Sequence, residues 1–192
     1  MKYILMSLFF LLCTYSTAQK FSINNLNKTN GLSSNYVNDI VQDQQGFIWI
    51  ATEAGLDRFD GKNFTNYNTT NSNLCDATIK ALLYDQEENL LWIGTKANLS
   101  ILDCSTSKIR NYKDFNGIPL CNIVHLAHSK DNKIWITNYY GGVVCYDKIK
   151  KHATHYSSKT IKGLINDNWC TFDDGKGNLY IGHTAVSYTH LR

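Results

Sequence analysis

The chain has 192 residues, 43% hydrophobic, 12% aromatic and only 18% charged, with a single proline, a composition that excludes disorder and collagen. Its net charge of +3 comes from 19 basic and 16 acidic side chains with no run of like charge, so neither nucleic acid nor an anionic membrane is an implied partner. Twelve tyrosines, eight phenylalanines and four tryptophans favour strands over helices, and the length suits one domain or two very small ones.

The first element is a leader over residues 1–18. Lys2 precedes an apolar run from Tyr3 to Leu12 and a polar stretch ending in Ser16, Thr17 and Ala18, the three-part pattern of a secretory signal. At about ten residues the run falls short of the roughly 20 helical residues that span a bilayer. Cleavage after Ala18 is expected, giving a mature chain from Gln19 and a periplasmic location. A lipoprotein reading would acylate Cys13, but Leu12 stands where a small residue is needed; an uncleaved anchor is the other alternative. Loss of the leader leaves Cys75, Cys104, Cys121, Cys145 and Cys170, an odd set without Cys-x-x-Cys spacing. Buried thiols acting as small hydrophobes are favoured over a disulfide scaffold.

After the leader a repeat organises the chain. The segments FIWIAT from Phe47, LLWIGT from Leu90, KIWITN from Lys133 and NLYIGH from Asn178 align on Trp49, Trp92, Trp135 and Tyr180, at intervals of about 43 residues. Ile48, Leu91, Ile134 and Leu179 precede these anchors, and Ile50, Ile93, Ile136 and Ile181 follow them.

Each unit reads as four short strands. Strand A covers Tyr36 to Asp43, Ile79 to Tyr84, Asn122 to Ala127 and Asn168 to Phe172; strand B holds the aromatic anchor. Between them Gly46, Asn89, Asn132 and Gly177 form a column of residues that tolerate positive φ. A second such column, Gly55, Asn98 and Gly142, leads to strands C, Leu56 to Phe59, Leu99 to Leu102 and Val143 to Tyr146. Strands D are Phe64 to Tyr67, Ile109 to Tyr112 and Thr154 to Tyr156.

Along strand B the aromatic column faces one side and its aliphatic neighbours the other, so both faces need cover. Stacked four-stranded blades supply it. The expected fold is therefore all-β, a partial β-propeller over residues 19–183 of about three and a half blades in an incomplete ring. The blades lie near residues 31–67, 74–112, 117–156 and 163–183, and Phe21 to Leu26 serves as the outer strand of a closing blade. Propellers have roughly four to eight blades, so the chain is expected to be a fragment of a longer protein. The ending TAVSYTHLR, residues 184–192, departs from the repeat pattern and reads as an atypical tail foreign to it.

The run GLSSNYVNDIVQDQQGFIWIATEAGLDRFDG, Gly31 to Gly61, resembles the two-component regulator propeller repeat. The features that carry the resemblance are Gly-Leu-Ser before strand A, Asp43 and Gly46 in the first hairpin, Trp49-Ile50, Thr52, and Gly55-Leu56 leading to Arg58-Phe59-Asp60-Gly61. Later units depart from it: Asn98 replaces the glycine, Ile101 and Cys145 replace the arginine, and Tyr180 replaces the tryptophan. The resemblance covers residues 21 to about 183. It implies the extracytoplasmic sensor of a hybrid histidine kinase of Bacteroides-type bacteria, within a protein that adds a second propeller, a connector, a membrane helix and a kinase. It further implies an oligosaccharide ligand. A homodimer of the whole protein is the remaining partner considered.

For recognition, the B-to-C loops are the candidates, because their chemistry changes while the scaffold columns hold: Glu53, then Lys96, then Asn138, Tyr139 and Tyr140. The bland alternative is that these are merely solvated loops. The histidine pairs His125 with His128 and His152 with His155 are spaced by three, which on a strand places partners on opposite faces, so a metal site is not expected. Asp43, Asp60, Asp103, Asp147 and Asp174 recur at turn positions and are expected to cap backbone amides rather than to act as catalytic pairs. No phosphate loop, nucleophile elbow or zinc-type cluster appears, so no cofactor and no catalytic residue is expected. The alternative functions are a secreted propeller lyase or glycosidase and a protein-binding propeller.

Overall fold

The structure, a computed structural model, describes residues 23–183 and the backbone of residues 188–191. The expected leader and the remaining tail residues lie outside the described residues. A 3-10 turn, Lys28–Asn30, comes first; the Asn27 side chain caps it by accepting from the Thr29 amide.

Three four-stranded antiparallel sheets follow, each in sequence order. The first holds β1 (Val37–Gln42), β2 (Ile48–Thr52), β3 (Gly55–Phe59) and β4 (Phe64–Tyr67). The second holds β5 (Ile79–Asp85), β6 (Leu90–Thr95), β7 (Leu99–Asp103) and β8 (Lys108–Tyr112). A small hairpin of β9 (Asp114–Phe115) and β10 (Ile118–Pro119) precedes the third sheet, β11 (Ile123–His128), β12 (Lys133–Asn138), β13 (Gly142–Asp147) and β14 (His152–Tyr156). The last sheet is three-stranded, β15 (Asn168–Asp173), β16 (Leu179–His183) and β17 (Tyr188–Leu191). Strands β1, β5, β11 and β15 lie side by side in turn, so each sheet is a propeller blade with its first strand innermost. We number the blades I to IV.

Why these segments hairpin is visible in the turns. Gly46, Asn89, Asn132 and Gly177 have φ of 87°, 53°, 56° and 94°, the left-handed conformation that their column requires. In the second column Gly55 and Gly142 are also left-handed, and a Cβ on either would run into the carbonyl oxygen of strand D, that of Tyr67 or Tyr156. Asn98 breaks that expectation, since its φ is not positive. The Thr95 hydroxyl accepts the Asn98 amide at 3.0 Å, whereas in blade I Thr52 accepts from Ala54, so the loop of blade II closes differently. Asn116 and Gly117 form a hairpin turn between β9 and β10, with φ of 53° and 77°, a pairing the sequence pattern did not suggest.

The core lies between blades. Blades I and II bury Trp49, Leu56, Ile79, Leu91, Ile93 and Leu102 against one another. Blades II and III enclose Trp92, Phe115, Leu120, Ile123, Ile134 and Ile136, and blades III and IV enclose Val143, Leu164, Leu179 and Ile181. Each fully buried aliphatic side chain stabilises by about 1.5–3 kcal/mol, and both faces of a middle blade contribute. Close approach sets the residue after the strand B aliphatic: a Cβ on Gly94 would sit 2.6 Å from Ile123 Cγ2 of the next blade.

The ends of the described chain and its cysteines stand apart from the repeat. Residues 23–26 form no strand and Ile23 is 93% exposed; no described strand lies beside them to pair with. The tail residues Tyr188–Leu191 pair with β16 in register Leu179↔Leu191 to Gly182↔Tyr188, because ladder hydrogen bonds come from the backbone and do not ask for the repeat's side chains. All five described cysteines are free, but only Cys145 is buried, Cys75 and Cys104 are half-buried, and Cys121 and Cys170 are exposed. Cys170 and Phe172 alternate with Thr171 on β15; Thr171 turns toward His125 of β11 and Thr137 of β12, and the other two stay open.

Candidate functional site

The recurring aspartates are turn caps. Asp60 Oδ1 accepts from the amides of Lys62 and Asn63, Asp103 Oδ1 from Ser105 and Thr106, and Asp147 Oδ1 from Ile149 and Lys150. Asp43 and Asp174 do the same in the A-to-B hairpins. The amides of Asn63, Thr106 and Lys150 hold the Asp60, Asp103 and Asp147 carboxyls below the usual carboxylate range. Two of the anchor tryptophans extend this role. Trp49 donates its indole N–H to Asp43 Oδ2 at 2.8 Å, and Trp135 donates to Asp173 Oδ2 of blade IV at 3.0 Å. The Trp92 N–H is buried and finds no acceptor among the described residues.

Strands A carry a second repeated device. Each has a bulge at its start, at Asn38, Lys80, Val124 and Trp169, and a bulge re-aims a side chain. At two of these places, Lys80 and Trp169, the bulged residue meets the B-to-C loop of the blade before it. Glu53 Oε1 lies 3.1 Å from Lys80 Nζ, and at the equivalent place Tyr139 lies 4.8 Å from Trp169, ring to ring at 70°. Tyr140 adds an edge contact to Tyr139 at 4.2 Å. Tyr140 is 68% and Trp169 49% exposed, so three rings form an open aromatic surface on the loop face of blades III and IV. Trp169 escaped the sequence reading because it falls in a scaffold strand. The signal that could have found it is the bulge column, which runs Asn, Lys, Val, Trp and so varies in step with the loops.

The other candidates divide. Lys96 is exposed, while its backbone is fixed by its amide on Thr78 O and by its carbonyl under the Asn122 amide. Asn138 is 1% exposed; its Oδ1 accepts the Cys121 amide at 3.4 Å and its Nδ2 donates to Pro119 O at 3.3 Å. It ends β12 and ties down the preceding link, so its side chain is buried and not exposed on the loop face.

On the inner strands, His125 Nδ1 accepts the Thr171 amide at 3.2 Å, as Asp39 Oδ2 accepts the Leu82 amide at 2.8 Å. Each side chain caps the inner strand of the next blade. Burial pushes the His125 imidazole below its usual value, with the Asp39 charge opposing. Among the described residues no group of three or more His, Cys, Asp or Glu is placed to hold a metal ion.

This architecture is that of β-propeller blades. Residues 31–54 match the two component regulator propeller family. Its structure is similar to the extracellular domain of a hybrid two component system, BT3049 of B. thetaiotaomicron, with 30% identity and a TM-score of 0.80, over 88% of this chain and 25% of that one. The extracellular domain of the one component system BT4673 from the same organism matches at 19% identity and TM-score 0.66, over 83% and 25%. The WD40 beta propeller domain of Doa1 matches at 10% identity and TM-score 0.62, over 80% and 50%; the last two show the fold alone. The chain thus spans a quarter of the two bacterial domains. No curated protein sequence matches the chain.

Proposed function

We propose that the chain is part of an extracytoplasmic sensor of a two-component signalling protein and that it binds an oligosaccharide on the loop face of blades III and IV. The observation that carries this reading is the open ring cluster of Tyr139, Tyr140 and Trp169, backed by the 30% identity to a sensor's extracellular domain. Flat, exposed aromatic faces on rigid strands suit the apolar faces of sugar rings, and the phenol hydroxyls suit their hydroxyl groups. Glu53, Lys80 and Lys96 lie along the same rim and would select among substituents. Binding here would report to partners outside this chain, the kinase among them, and the chain itself performs no chemistry. Export by residues 1–18 would place it in the periplasm.

The test is calorimetric and fluorescence titration of the chain with a panel of neutral and acidic oligosaccharides. Binding by one class, weakened about tenfold in Trp169→Ala and in Tyr140→Ala, is the expected result. No binding by any glycan, or binding indifferent to both substitutions, overturns the reading. Mass spectrometry of the exported chain should find Gln19 as the first residue.

A further inference from the structure

The residue paired with the anchor tryptophan on strand C changes from blade to blade: Trp49 faces Arg58, Trp92 faces Ile101, and Trp135 faces Cys145. In blade I the Arg58 guanidinium lies 4.5 Å from the Phe47 ring centre and 5.7 Å from that of Trp49, so a long cationic side chain covers the indole. Ile101 cannot reach that far. In blade II a cleft of about 290 Å³ opens at this place, bounded by blades II and III, near the lower end of the range for small-molecule sites, about 300 Å³.

Its walls are aromatic and come from four separate elements. Phe115 of the β9–β10 hairpin stacks on Tyr146 of β13 at 4.3 Å and touches Tyr112 of β8 at 5.3 Å, and Trp92 of β6 lies 5.8 Å from Tyr146. Its rim is cationic. Lys108, Arg110 and Lys151 line it, are exposed, and enter no ion pair among the described residues. Of the two rim carboxylates, Asp103 commits Oδ1 to two turn amides and Glu88 remains; Lys148, also at the rim, is held by Asp85. Flat walls under unpaired cations select a flat anion, by stacking and by charge.

We propose that this cleft between blades II and III is a second ligand site, separate from the loop face, that takes a small aromatic carboxylate. Its probe is 2-naphthoate, with 2-naphthamide as the uncharged twin, titrated into the full chain and followed by tryptophan fluorescence and calorimetry. Saturable binding of one naphthoate is expected, with the amide about fivefold weaker or worse and Arg110→Gln weakening naphthoate about fivefold, the scale of one solvent-exposed charge contact. Ile101→Arg, which gives blade II the side chain blade I already carries, should fill the cleft and remove binding. Circular dichroism checks that this variant folds, and the exposed Arg110→Gln carries the test if it does not. Trp169→Ala should leave naphthoate binding unchanged. Absence of saturable binding, equal affinity for acid and amide, undiminished binding in folded Ile101→Arg, or loss in Trp169→Ala each overturns the proposal.

Discussion

Lys148 joins blade III to blade II through a pair that solvent scarcely reaches. Its Nζ lies 2.6 Å from Asp85 Oδ2, with the side chains 7% and 1% exposed, and 3.3 Å from Glu87, which is 70% exposed. In Lys148→Met the Asp85 carboxylate keeps one backbone donor, the Glu87 amide at 3.2 Å, and loses its counter-charge. Orphaning a buried partner costs about 3–5 kcal/mol, and the exposed Glu87 contact adds less than about 1 kcal/mol. Urea unfolding followed by tryptophan fluorescence measures it: with a slope of about 2 kcal/mol/M, the midpoint should fall by about 2 M. Replacing both partners, Lys148→Met with Asp85→Leu, should recover most of that loss, since an apolar pair of similar volume is often neutral or better. A midpoint shift under about 0.5 M at that slope, or a double variant no better than the single one, refutes the reasoning. The pH dependence has a fixed sign. Burial opposes the Lys148 charge, but the hydrogen bond and charge of Asp85 outweigh it and raise the amine above its ordinary 10.5. This stabilisation is therefore complete below pH 10.5 and is lost as pH rises through the higher folded value.

Three further outcomes follow from the same geometry. Trp49→Phe should cost about 1.5–3 kcal/mol more than Trp92→Phe in urea unfolding, because it strips a charge-assisted bond from buried Asp43 while the Trp92 N–H has no acceptor to lose among the described residues; equal losses would contradict this. Gly61→Ala, at φ 94° with open space around it, should cost about 1 kcal/mol, or roughly 2–4 °C in melting temperature, whereas Gly142→Ala must also displace the Tyr156 carbonyl and should cost several times that. The depressed imidazole of His125 makes its share of stability complete above the ordinary 6.5 and lost as pH falls from there through the lower folded value. Melting curves from pH 8 to 5 should show that loss in the native chain and not in His125→Asn, whose amide oxygen can still accept the Thr171 N–H.

The blades were legible because two signals are local and periodic. The anchor column fixes strand B, and the Gly and Asn columns fix its hairpins; Asn89 and Asn132 adopt the left-handed turn the pattern asks of them. The turn role of Asp60, Asp103 and Asp147 was legible for the same reason, since a side chain that caps amides two and three residues ahead needs no tertiary contact. What stayed hidden depends on register between strands or on packing between blades. Asn138 looks like a loop residue in sequence, but the ladder extends to pair it with Gly142, and its amide is spent on the link before β11. Trp169 looks like scaffold because a bulge leaves no mark in hydrophobic alternation. The β9–β10 hairpin consists of two-residue strands, too short for any periodicity to reveal.

The bulge explains how one scaffold carries different chemistries at one geometric position. At the first interface the loop residue and the bulge residue of the next blade are Glu53 and Lys80, an ion pair; at the third they are Tyr139 and Trp169, an aromatic contact. At the second they are Lys96 and Val124, and Lys96 enters no ion pair among the described residues. The backbone bonds around these positions recur regardless: Glu53, Lys96 and Tyr139 each donate an amide to the residue just ahead of strand A, namely Tyr36, Thr78 and Asn122. Because main-chain bonds hold the loops, the two side chains at each interface can change without loosening the blades, and stability constrains them little. Under the proposed function, that separation is what a recognition rim needs. It places a closed ion pair, an unpaired cation and an open aromatic surface in fixed order along one face of the propeller.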